Sequence, residues 1–83
     1  MKISDKKLEI QKIKTHLVVG KKCKIFLKQD YIIKGFIYSI DKFFNFLIHS
    51  SYIFKFNKKN IFSNYFFLRF VRGENIIYIM IFD

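Results

Sequence analysis

Eighty-three residues with a formal net charge of +10 leave room for one small domain and point to a polyanionic partner, because lysines that neutralise phosphates release condensed counterions on binding. Hydrophobic residues make up 52% of the chain and aromatic residues 20%, more apolar surface than a small monomer hides, so part of it is expected to close against another subunit. The longest apolar run, Ile76 to Phe82, is too short for a membrane span, and the lysine-rich stretch from Met1 to Val19 lacks the apolar centre of a secretory signal.

In chain order, Ser4 or Asp5 can cap a helix over about 4–17 whose apolar face is Ile10, Ile13 and Leu17, ending near Gly20. From Lys21 the period changes to two: Cys23, Ile25 and Leu27 alternate with Lys22, Lys24, Phe26 and Lys28, as in a half-buried strand. Gln29 and Asp30 form a tight turn into a second strand, Tyr31 to Ile40, in which Gly35 marks a sharp bend. After a break at Asp41 to Phe43, a third strand runs from Phe44 to Phe56, with Phe44, Phe46 and Ile48 on one face and Asn45 on the other. Ile61 to Val71 is a fourth strand, Arg72 to Asn75 a turn, and Ile76 to Ile81 a fifth.

One helix followed by five strands, the second strongly bent, predicts a single mainly β domain over 1–83, with a small antiparallel barrel over about 21–81. The last two strands are long, apolar and free of proline. Left bare they would be unguarded edges, so pairing with neighbouring subunits is their expected fate.

The chain is strongly biased: Lys, Ile, Phe and Asn supply 46 of its 83 residues, and Lys outnumbers Arg fourteen to two. Such a bias resembles drift under A/T-rich coding, which competes with function as the source of the basicity and makes the exceptions informative. Arg69 and Arg72 survive where lysine is the default cation, which points to at least one site that needs a planar guanidinium. Arg72-Gly73 and Asp41-Lys42-Phe43-Phe44-Asn45 both fall where strands break. Brought together, they would place an aromatic face, a side-chain amide and a guanidinium around an unpaired nucleic-acid base. Each residue also has a plainer role: Phe43 as a core or interface ring, Asn45 as a turn former, Arg72 as a solvated charge. Arg69 reads as structural or interfacial.

His16, His49 and Cys23 stand singly without metal-ligand spacing, and no nucleophile and base pair or glycine-rich phosphate loop is visible. Neither catalysis nor a metal or other cofactor is expected. A single cysteine cannot form an internal disulfide and suits a reducing compartment.

The run Leu17-Val18-Val19-Gly20-Lys21-Lys22, Phe26-Leu27-Lys28-Gln29-Asp30, Lys34-Gly35 and Ser39-Ile40-Asp41-Lys42-Phe43-Phe44-Asn45 resembles the first signature motif of the Sm and Sm-like (LSm) RNA-binding proteins. Phe70-Val71-Arg72-Gly73-Glu74-Asn75-Ile76-Ile77-Tyr78 resembles their second motif. Within the family, the Lys-Gln-Asp turn and Ser-Ile-Asp-Lys-Phe-Phe-Asn look most like the second Sm-like subunit of the eukaryotic ring. The ending is also similar to that of the fourth Sm-like and the first D-type Sm subunits.

The resemblance implies an N-terminal helix and a five-stranded Sm-type barrel. It also implies a ring, usually of seven Sm or Sm-like subunits, joined through the last two strands, that binds uridine-rich single-stranded RNA in the nucleus and acts in splicing or, in a related ring, in RNA decay. Carried over by position, Phe43 would stack on a base, Asn45 would bond its edge and Arg72 would cover its other face. Asp41 would hold the loop, and Gly73 would give the second turn its backbone geometry. Two positions depart from the pattern: Phe44 stands where Leu or Met is usual, and Glu74 puts a negative charge beside Arg72.

Overall fold

The computed structural model describes residues 2–3, 17–55 and 63–82. Six antiparallel strands form one sheet: β1 (Lys2–Ile3), β2 (Lys22–Leu27), β3 (Tyr31–Ile40), β4 (Phe46–Lys55), β5 (Ser63–Val71) and β6 (Ile76–Phe82), in the order β1-β6-β2-β3-β4-β5. The five long strands are those expected, and β3 has its expected limits. The expected helix over about 4–17 lies, apart from Leu17, outside the described residues.

Alternation decides which face is buried. Cys23 and Ile25 of β2, Ile33 and Ile37 of β3, Phe46 and Ile48 of β4 and Ile79 and Ile81 of β6 turn inward onto one core, joined by Val18, Phe44, Val71 and Ile76. β-Branched side chains dominate it, as suits packing on a pleated surface. The β2–β3 hairpin turns through Lys28–Asp30, where Gln29 (φ 64°) and Asp30 (φ 65°) take the two left-handed positions that a tight hairpin demands, without a glycine.

Chain connectivity requires the sheet to curl. β5 and β6 are four strand spacings apart, about 19 Å in a flat sheet, whereas the five peptide units from Val71 to Ile76 span about 17 Å at full stretch. Gly35 makes the curl possible. A Cβ there would collide with the Ile48 side chain and lie 3.0 Å from the His49 carbonyl oxygen, and the β3–β4 register shifts between Lys34 and Phe36. The expected bend at Gly35 therefore has a local cause: β4 crosses too close for any side chain.

The two edges differ. Among the described residues β5 pairs only with β4, and Tyr65, Phe66, Phe67, Leu68 and Phe70 are all exposed along it. The outer edge of β6 is partly covered by the chain itself, because β1 sets Lys2 opposite Met80 and Ile3 opposite Ile79. Two residues carry too little pattern for β1 to be read from sequence. No helix among the described residues is long and apolar enough to cross a membrane.

Candidate nucleic-acid interface

The turn between β3 and β4 is built around one carboxylate. Asp41 Oδ1 accepts hydrogen bonds from the backbone N–H groups of Phe43 and Asn45, both at 2.9 Å, and Oδ2 accepts one from Asn45 Nδ2 at 3.0 Å. The main chain closes the same loop, with Asp41 N–H donating to the Asn45 carbonyl (3.0 Å) and Phe44 N–H to that of Asp41 (3.1 Å). The Asn45 backbone bond first, aided by the Asn45 side chain and the Phe43 N–H, holds the Asp41 carboxyl below its ordinary value of 3.8.

Phe44 differs from the sequence expectation. It does not open a strand but sits in the turn at φ 66°, and β4 begins at Phe46. Its side chain is nevertheless buried as expected, edge-on to Phe46 with centroids 4.8 Å apart. A left-handed residue lets the loop send Phe44 into the core while Phe43 points out, 72% exposed, with Lys42 Nζ 5.2 Å from its ring centroid.

The second turn, Gly73–Asn75, lies against the first. Gly73 N–H donates to Asn45 Oδ1 at 2.8 Å. Gly73 has no positive φ, so glycine does not serve the turn through a left-handed conformation. The reason for glycine is proximity: a Cβ would run into the Phe44 carbonyl oxygen and lie 3.1 Å from that of Phe43. Arg72, just before it, pairs its Nε with Glu74 Oε1 at 3.2 Å, both side chains being about two-thirds exposed (65% and 67%).

All five expected site residues therefore meet at one end of the sheet. Asp41, Asn45 and Gly73 are linked by hydrogen bonds, and Phe43 and Arg72 flank them with exposed side chains. The Asn45 amide is fixed in one orientation, because only its oxygen can accept from Gly73 and only its nitrogen can donate to Asp41. One N–H and one oxygen lone pair remain to meet a base edge.

Arg69 lies elsewhere and is structural, as expected. Its Nε donates to Ser51 Oγ (3.1 Å), its Nη2 to the Asn64 carbonyl (3.1 Å), and its guanidinium sits 4.6 Å from the Phe66 centroid. Burial of the Cys23 thiol pushes its pKa up to about 12, against a smaller opposing effect of a backbone hydrogen bond with Gly35, so it is no reactive nucleophile. Among the described residues no cluster of three or more His, Cys, Asp or Glu side chains could hold a metal ion.

A curled antiparallel sheet with paired turns at one end defines a small β-barrel module of the Sm type. The LSM domain model matches residues 14–81, and the chain belongs to that family. Solved structures share the fold. The Sm protein of Pyrococcus abyssii in complex with a uridine heptamer is 16% identical, with a TM-score of 0.68 over 81% of this chain and 90% of that one. A chain of the NatC complex bound to CoA is 21% identical, with a TM-score of 0.72 over 86% and 87%. A heptameric archaeal Sm protein is 22% identical, with a TM-score of 0.63 over 92% and 98%. No curated protein matches the chain in sequence.

Proposed function

We propose that this protein is a subunit of a ring of Sm-like proteins and binds uridine-rich single-stranded RNA, one base per subunit, between the Asp41–Asn45 and Arg72–Gly73 turns. The observation that carries the reading is the Asn45 amide, held at both ends and left with one donor beside one acceptor. Uracil presents a carbonyl beside an N–H, the complement of that pair, and the fixed orientation disfavours cytosine, whose donor and acceptor are exchanged. Phe43 and Arg72 supply the stacking faces, at about 1–3 kcal/mol per base. The family and the uridine-bound Sm protein of the same fold support the reading.

A single pocket binds weakly, so useful affinity comes from several pockets on one strand. Assembly joins the β5 edge that no described strand pairs with to the outer edge of β6 of the next subunit. β1 holds part of that second edge, so an incoming β5 must displace it. At the finer level, the motif likeness favours a nuclear, heteroheptameric eukaryotic ring, with this chain in the place of the second Sm-like subunit and a role in small nuclear ribonucleoprotein assembly and splicing. An RNA-decay ring has the same site chemistry.

A second reading, a scaffold subunit with little RNA contact, draws on the Arg72–Glu74 ion pair, which occupies the proposed stacking group. The two readings separate on Phe43→Ala combined with Arg72→Ala. Under the RNA-binding reading, oligouridine affinity falls at least tenfold at constant salt while assembly is retained; unchanged affinity assigns the scaffold role.

A further inference from the structure

The sheet face opposite the core carries an arrangement that the turn cleft does not use. Strand register aligns Lys24, Lys34, Tyr52 and Tyr65 in one row across β2 to β5, and Lys22, Phe36 and His49 in the adjacent row. Lys24 and Lys34 stand directly opposite each other, a like-charge pairing that weakens a sheet unless something offsets it. No carboxylate does so: among the described residues, Lys22, Lys24 and Lys34 form no ion pair. The described carboxylates, Asp30, Asp41 and Glu74, all lie in turns.

Lys24 and Lys34 are instead held by rings. Lys24 Nζ is 5.4 Å from the Phe26 centroid and Lys34 Nζ 5.3 Å from that of Phe54, contacts that position a cation without neutralising it. With Phe82 and Cys23 the three lysines line a recess of about 170 Å³. Beside it the planar groups continue: Tyr52 and Tyr65 pack with centroids 4.9 Å apart, and Phe36 stacks on His49 at 5.4 Å. Phe36, Tyr52 and Tyr65 are exposed.

We propose that this face is a second RNA surface, with Lys22, Lys24 and Lys34 taking phosphates of the single strand outside its uridine tract and the exposed rings of Phe36, Tyr52 and Tyr65 taking its bases. Cations without a carboxylate partner among the described residues, interleaved with ring faces, are the chemistry of sequence-tolerant single-strand binding. An acidic protein surface would use the lysines and leave the rings idle. The inference rests on RNA being the ligand, but not on the uridine pocket.

The test is Lys22→Gln/Lys24→Gln/Lys34→Gln in the full chain. Its ligands are a short oligouridine and the same oligouridine extended by a mixed-sequence tail, each titrated across a salt series. The triple variant keeps short-oligouridine affinity within about twofold and loses the added affinity of the tail, and its salt slope falls by about 2, as three phosphate contacts at about 0.7 each require. Phe43→Ala does the reverse, so failure of the base pocket is read separately. An unchanged tail contribution and salt slope overturn the proposal. So does retained tail binding with loss of binding to polyglutamate, which would give the face to a protein partner.

Discussion

Both turns that make the cleft are tied through their backbones, but their outward side chains are held to different degrees. Asp41–Asn45 is tied by its own carboxylate, by its main chain and by a buried phenylalanine, whereas the Arg72 side chain is held by one exposed ion pair to Glu74. The difference separates two tasks. Under the proposed function, the group that reads a base edge is fixed before RNA arrives, and the group that covers the base must first leave a carboxylate. Pre-organisation at the first turn lowers the ordering cost of discrimination. At the second turn, affinity is open to adjustment by whatever competes for the guanidinium.

The largest expected effect comes from breaking the contact between the turns. Gly73→Ala drives a methyl into the Phe44 carbonyl, and overpacking of this kind costs about 1–3 kcal/mol, read as a lower Tm, together with loss of oligouridine binding. An unchanged Tm would show that the turns do not meet as described.

Next comes Asp41→Ala, which removes three hydrogen bonds from the first turn and frees the nitrogen end of the Asn45 amide. Oligouridine affinity is expected to fall about tenfold, with the preference over oligocytidine lost. Acid gives the same effect without mutation. The Asp41 pKa is lowered in the folded protein, so its contribution is complete above the ordinary value of 3.8 and is lost as pH falls through the lower folded value. Binding measured from neutrality down to about pH 4 therefore keeps this contribution. A loss centred well above pH 4 would place its origin in another group.

The smallest effect is a gain. Glu74→Gln releases Arg72 and removes a negative charge from the RNA path, and oligouridine affinity rises about two- to fivefold at low salt, less at high salt. A decrease would mean that the ion pair positions the guanidinium for stacking.

Much of the fold was legible because the strands alternate. Cys23 and Ile25 against Lys22 and Lys24 announce β2, and Tyr31 to Ile40 was read to its limits. What escaped depends on contacts distant in sequence. Gly73 is glycine because Phe43 and Phe44 approach it from the other motif, a fact that no local pattern encodes. Phe44 alternates correctly with Phe46 and so looks like a strand residue, yet its left-handed backbone belongs to the turn. The pairing of β1 with β6 follows from an open edge and not from any signal in Lys2 and Ile3. That Asp41–Asn45 and Arg72–Gly73 meet was legible from the order of two motifs, but the hydrogen bonds that fix the Asn45 amide needed three dimensions.

The most direct measurement is the affinity of the assembled protein for oligouridine relative to oligocytidine, for the wild type and for Asn45→Ala, with native mass spectrometry recording the subunit number of each. The account predicts a preference for uridine of about tenfold or more in the wild type, abolished by Asn45→Ala with the subunit number unchanged. Equal affinities in the wild type, or a preference that survives the substitution, would contradict it.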